Sequence, residues 1–125
     1  MTVLLLVALG SGLGAPARYL LHRFIQQRHQ RVLPWGTSAV NISGSLLLGL
    51  LFGGAARWGL DQRVLAAVGT GFLGSYTTFS TFTWETVRLV ENRVYLAAVA
   101  NVALSLVAGL AAISAGIAVG MLWAG

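Results

Sequence analysis

Charged residues along this chain fall in clusters, leaving uncharged stretches at 1–17, 32–56, 64–84 and 94–125. A bilayer-crossing helix needs roughly 20 predominantly apolar residues, so the pattern predicts an all-α membrane protein with four transmembrane helices in a single domain spanning 1–125. Their expected extents are Thr2–Ile25, Thr37–Ala56, Val64–Val90 and Val94–Trp123. The third is apolar but poorly suited to an α-helix. Gly69, Gly71 and Gly74 carry a high entropic cost of helix formation, and Thr77, Thr78, Thr81 and Thr83 are β-branched with hydroxyls that compete for backbone groups. That composition predicts a break in mid-membrane, where freed backbone must be satisfied by protein, water or an ion. An ordinary helix packed through small residues is the competing reading.

Composition narrows the class. With 57% hydrophobic and 9% charged residues the chain lies outside the range of soluble domains, which predicts a multi-pass protein of the cell membrane in contact with lipid. The net charge of +5 comes entirely from arginine; in a membrane protein it reports topology and anionic headgroups, and speaks against a nucleic-acid partner. Absence of cysteine removes disulfides and thiol chemistry. The first apolar stretch has neither a basic n-region nor a small-residue cleavage site and reads as a retained helix. Its glycines at 10, 12 and 14 do not follow a strand, so they are not a dinucleotide fingerprint; Gly10 and Gly14 instead suit close helix approach.

Polar positions supply the candidate chemistry. Arg18 sits at the edge of the first helix, either snorkelling or facing a water-filled vestibule where it concentrates anions. His22 to Arg31 reads as a solvated connection, and Pro34-Trp35-Gly36 as an interfacial turn opening the second helix. Asn41-Ile42-Ser43 matches a glycosylation sequon but falls inside a span. Asn41, Ser43 and Ser45 either bond to neighbouring helices or line a polar path. Glu85 and Arg88 share a face at i, i+3 and predict an ion pair, while Asn101 and Ser105 form one stripe of the fourth helix. Phe79 and Phe82 project to one side beside the hydroxyls of Thr78, Ser80, Thr81 and Thr83. From spacing alone, core packing or lipid contact is the commoner reason for such a pair, but aromatic edges are electropositive and hydroxyls and amides are neutral donors, a set that suits a passing anion. No acid lies deep in any span, and no nucleotide motif or other sign of an enzyme is visible.

Three segments resemble the Fluc (CrcB) fluoride channels: Gly10-x-x-x-Gly14-Ala15-x-x-Arg18-Tyr19, Gly36-Thr37-x-x-Val40-Asn41-x-x-Gly44-Ser45, and Gly71-Phe72-Leu73-Gly74-x-x-Thr77-Thr78-Phe79-Ser80-Thr81-Phe82. The resemblance implies fluoride-selective, passive conduction that relieves fluoride toxicity, through two pores in an antiparallel, dual-topology homodimer with a central structural sodium ion. Carried over, it makes Phe79 and Phe82 the pore aromatics, Asn41 the fluoride-contacting amide, Ser80 and Thr83 hydroxyl donors, Glu85 an acid near the pore, and Asn101 with Ser105 the polar track of the fourth helix. Arg18 would line the vestibule. Main-chain carbonyls of Gly74 and Thr77 would hold the sodium. Ser75, where a glycine is frequent, and Gly109, which lacks a donor on the track, depart from the pattern. Alternatives are a small dual-topology multidrug exporter, which would need a carboxylate in the first helix, and a non-transporting membrane subunit. Arg23, Arg28, Arg31 and Arg93 against Arg57 and Arg63 modestly favour the first and third loops inside, whereas insertion in both orientations demands a weak bias; a homodimer is expected, with a partner chain of opposite bias as the alternative.

Overall fold

A computed structural model of the chain describes residues 1–28 and 33–123. All regular structure among them is helical: α1 (Thr2–Arg28), α2 (Trp35–Trp58), α3 (Gln62–Val64), a π-helical segment π1 (Leu65–Leu73), α4 (Gly74–Tyr76), α5 (Ser80–Glu91) and α6 (Tyr95–Trp123). Three of these, α1, α2 and α6, are long and apolar enough to cross a membrane, as a multi-pass membrane protein requires.

Helix α1 extends beyond the expected end at Ile25 and runs through Pro16 without stopping. It stays helical to Arg28, whose guanidinium lies 4.4 Å above the Phe24 ring, so this part of the expected solvated connection is ordered. The remainder of that connection, His29 to Arg31, lies outside the described residues. Gln26 Oε1 accepts from the Gly36 amide at 3.1 Å, tying the end of α1 to the first turn of α2. Helix α2 stops at Gly59, whose left-handed backbone (φ 64°, ψ 53°) turns its N–H back onto the Ala55 carbonyl at 2.8 Å. Glycine adopts that conformation without steric penalty.

Two seams of small residues organise the packing. Along α2 and α6, Gly49 and Gly53 lie directly against Gly116 and Gly120: a Cβ on Gly49 would stand 3.0 Å from the Gly116 Cα, and one on Gly120 3.1 Å from the Gly53 Cα. Gly10 and Gly14 of α1 are buried against the backbone of π1 and α4, where Cβ atoms would overlap the Ala67 and Phe72 carbonyls. Dispersion contacts replace the hydrophobic effect between helices in lipid, so backbone proximity is what such seams contribute. Between them sits a small core of Val40, Leu73 and Tyr76, with Phe72 stacked on Tyr76 at a centroid separation of 5.8 Å. The Tyr76 hydroxyl is paired with Ser43 Oγ at 2.9 Å.

The glycine-rich stretch winds as the wider π1. Ser75 Oγ lies within 3.2 Å of the carbonyls of Ser11, Gly71 and Phe72, and Ser11 Oγ donates to Gly71 O at 3.3 Å, so two hydroxyls bind the irregular backbone to α1. Ser75, expected as a stiffening departure, is thus a link between elements. After Tyr76 the chain leaves the helix: Thr77 is extended (φ −82°, ψ 159°) and helical geometry resumes with α5 at Ser80.

Candidate functional site

The interruption between α4 and α5 gathers most of the polar side chains singled out from sequence. An interrupted helix leaves backbone donors and acceptors without partners, and here α2 supplies them. Asn41 Nδ2 donates to the Thr78 carbonyl at 2.8 Å while the Thr78 amide donates to Asn41 Oδ1 at 2.8 Å. One side-chain amide thereby replaces both backbone partners of Thr78. The buried Thr78 hydroxyl accepts from the Thr81 amide at 3.2 Å and lies 3.3 Å from Ser80 Oγ, so it satisfies a free donor in the first turn of α5. Arg18, half-buried on α1, reaches the Thr77 carbonyl with one guanidinium N–H at 3.4 Å. No hydrogen bond to the Gly74 carbonyl is formed among the described residues: the Thr77 amide goes to Leu73, and the Thr78 amide goes to Asn41.

Phe79 and Phe82 stand with ring centroids 5.9 Å apart and planes tilted by 44°, and Phe79 is 78% exposed. A cleft of about 320 Å³ opens beside them, lined by Asn41, Ser45, Gly74, Thr77, Thr78 and Phe79 among others. A second, of about 190 Å³, lies between α1 and α5 and is lined by Arg18, Tyr19, His22, Thr78 and Thr81. Thr78 borders both.

The remaining candidates are distributed more widely. Ser80 is exposed at the start of α5, whereas Thr83 turns its hydroxyl back to the Phe79 carbonyl at 2.9 Å, the local bonding its residue type favours in a helix. Asn101, 2% exposed, donates to Thr86 Oγ1 at 2.9 Å, and Thr86 in turn donates to the Phe82 carbonyl at 2.8 Å. This relay connects α6 to the aromatic pair. Ser105 is half-buried one turn along the same stripe, and a Cβ built on Gly109 would stand 3.8 Å from Ser45 Oγ, so α2 brings a hydroxyl to the position where α6 has none.

Glu85 corrects one expectation. It does not pair with Arg88: its carboxylate accepts a hydrogen bond from the Thr37 hydroxyl of α2, and the Arg88 guanidinium lies over the Trp84 ring at 4.9 Å. Arg88 has Trp84 at i−4 on its own helix, and an aromatic face there competes well against an exposed ion pair of marginal value. The buried Thr37 and the half-buried Thr86 are polar partners that sequence reading missed. Each is joined to its partner by tertiary packing, with no periodic signal to mark it. Neither aromatic of the pair has a carboxylate hydrogen-bonded beside it, and the other two acids, Asp61 and Glu91, are exposed at helix ends.

Comparison with known proteins places this arrangement in a family. A family model described as CrcB-like protein, Camphor Resistance (CrcB), matches residues 5–117. This chain belongs to the CrcB family. Among its CrcB relatives, the protein named Fluoride-specific ion channel FluC 1 of Frankia casuarinae is 47% identical over 119 residues, covering 91% of this chain and 92% of the relative. One of the same name from Streptomyces avermitilis is 46% identical over 113 residues (90% and 91%). Fluoride-specific ion channel FluC of Solidesulfovibrio magneticus is 43% identical over 117 residues (93% and 94%). The CrcB match takes in α1, α2, the interruption and most of α6, so it includes every candidate residue named above.

Proposed function

We propose that this chain forms a fluoride-selective channel of the cell inner membrane that lets fluoride leave passively and so confers resistance to it. The observation that carries the reading is the cleft at the interruption, which Asn41, Ser45, Thr77, Thr78 and Phe79 line with no carboxylate among the lining residues. Neutral donors and positive ring edges attract a small anion without holding it too tightly to leave. The names of the CrcB relatives agree with it. Phe79 and Phe82 contact the ion in this reading, with Asn41, Ser80, Thr83, Asn101 and Ser105 offering polar groups along the path. Glu85 lies near its end, and Arg18 raises the anion concentration in the vestibule.

The helical pieces from Gln62 to Glu91 are read as a fourth crossing, broken at membrane depth. The exposed Phe79 and the exposed Gly74 then face a second copy, inserted in the opposite orientation, and each dimer carries two pores. Sodium fits the residues present: the Gly74 carbonyl has no hydrogen-bond partner among the described residues, and carbonyl oxygens suit a hard cation. Gly74 and Thr77 of both copies would hold it, the Thr77 carbonyl sharing its second lone pair beside the long 3.4 Å bond from Arg18, and the ion would supply positive charge to the Gly74 oxygen that lipid cannot satisfy.

Reconstitution of the purified protein into liposomes tests the function. Fluoride should flow down its own gradient while chloride does not; flux that requires an imposed proton gradient or nucleotide refutes the reading.

A further inference from the structure

We infer that Asn41, on α2, is the residue that frees the Gly74 carbonyl for a cation. This rests on the sodium reading above and adds a positioning role that the ion-contacting role does not contain. In an uninterrupted α-helix the amide of residue i donates to the carbonyl of i−4, so the Thr78 amide would close onto Gly74. Asn41 Oδ1 takes that amide at 2.8 Å, and Asn41 Nδ2 holds the Thr78 carbonyl at the same distance, which fixes the chain in its extended course. The preceding amide, that of Thr77, stays with Leu73 at 3.0 Å, as a regular helix demands. Downstream of the already widened turns of π1, helical bonding therefore stops at the one amide that Asn41 captures. An asparagine side chain is a peptide unit with one acceptor and a donor pair, so it can substitute for both backbone partners at once. The side chain of one element thus decides that a carbonyl of another remains open.

The two functions of the amide separate by substitution. Asn41→Leu removes the acceptor, leaving the Thr78 amide to return to Gly74. Asn41→Asp keeps an acceptor for that amide but cannot donate to the Thr78 carbonyl. A ligand that binds only the folded protein raises its unfolding temperature with concentration, so thermal unfolding in detergent, in sodium chloride against choline chloride, reads sodium binding without any flux. We expect a sodium-specific rise for the wild type and for Asn41→Asp, whatever their absolute stabilities, and its loss for Asn41→Leu. A rise that persists in Asn41→Leu, or that disappears in Asn41→Asp, overturns the inference. Should Asn41→Leu fail to fold, Asn41→Asp decides alone by the same criterion. A wild type that shows no sodium-specific rise refutes the sodium reading itself, and the inference falls with it.

Discussion

A methyl group added at Gly49 should loosen the protein, while the same methyl at Gly12 should not. Both glycines lie inside long helices, so alanine gains about 0.8–1.0 kcal/mol of helix propensity at either site. The difference is what each Cβ meets. At Gly12 nothing lies within 4 Å. At Gly49 the Cβ would overlap the Ile113 carbonyl oxygen and stand 3.0 Å from both the Gly116 Cα and the Ile113 carbonyl carbon, where carbon atoms prefer about 3.5–4.0 Å, so α2 and α6 would have to part by roughly 1 Å. The atoms in the way are backbone and cannot rotate aside. Overpacking of this kind costs about 1–3 kcal/mol, and overlap with a backbone oxygen belongs at the upper end of that range, so after the propensity gain Gly49→Ala should lose about 2 kcal/mol net while Gly12→Ala gains up to about 1 kcal/mol. Equilibrium unfolding in mixed micelles with increasing denaturing detergent measures both. Gly49→Ala as stable as the wild type, or Gly12→Ala destabilised as much as Gly49→Ala, would refute the assignment of this seam as backbone contact.

Three further outcomes follow from the site. Replacing Phe79 or Phe82 with isoleucine keeps bulk but deletes the ring quadrupole; liposome efflux should fall at least tenfold in each, a loss of roughly 1.4 kcal/mol in transition-state stabilisation, with the wild-type elution volume retained in chromatography. Asn101→Leu leaves the Thr86 hydroxyl without its donor and crowds a buried position, and should destabilise by about 1–3 kcal/mol in the same unfolding assay. Tyr76→Phe deletes only the bond to Ser43 and should cost about 1 kcal/mol with flux nearly unchanged.

The long spans were readable because membrane insertion is a composition problem: Arg57, Asp61 and Arg63 mark the end of α2 as plainly as Glu91 and Arg93 mark the start of α6. The irregularity near Gly69 to Thr83 was also visible in residue type, although the winding of π1 was not, since its Gly71 carbonyl takes the Ser11 hydroxyl of α1 from 60 positions away. Pairings across the fold left no trace in the pattern. Asn41 and Thr78 are 37 positions apart, and Thr37 and Glu85 are 48 apart, so only the packing of α2 against α4 and α5 brings them together. The same i, i+3 spacing that placed Phe79 beside Phe82 missed at Glu85 and Arg88, where each found a better partner, one across the helices and the other on its own helix.

The seam between α2 and α6 has a consequence for biosynthesis. Its two halves are separated by all the residues between Trp58 and Tyr95, and Gly120 lies near the end of the described chain. At synthesis rates of roughly 5–20 residues per second, α2 would leave the ribosome several seconds before its partner is complete. During that interval the backbone seam along Gly49 and Gly53 has no partner from α6. Helix α6 thus acts as a latch that closes late, and the seam on α2 faces lipid or other helices until it does.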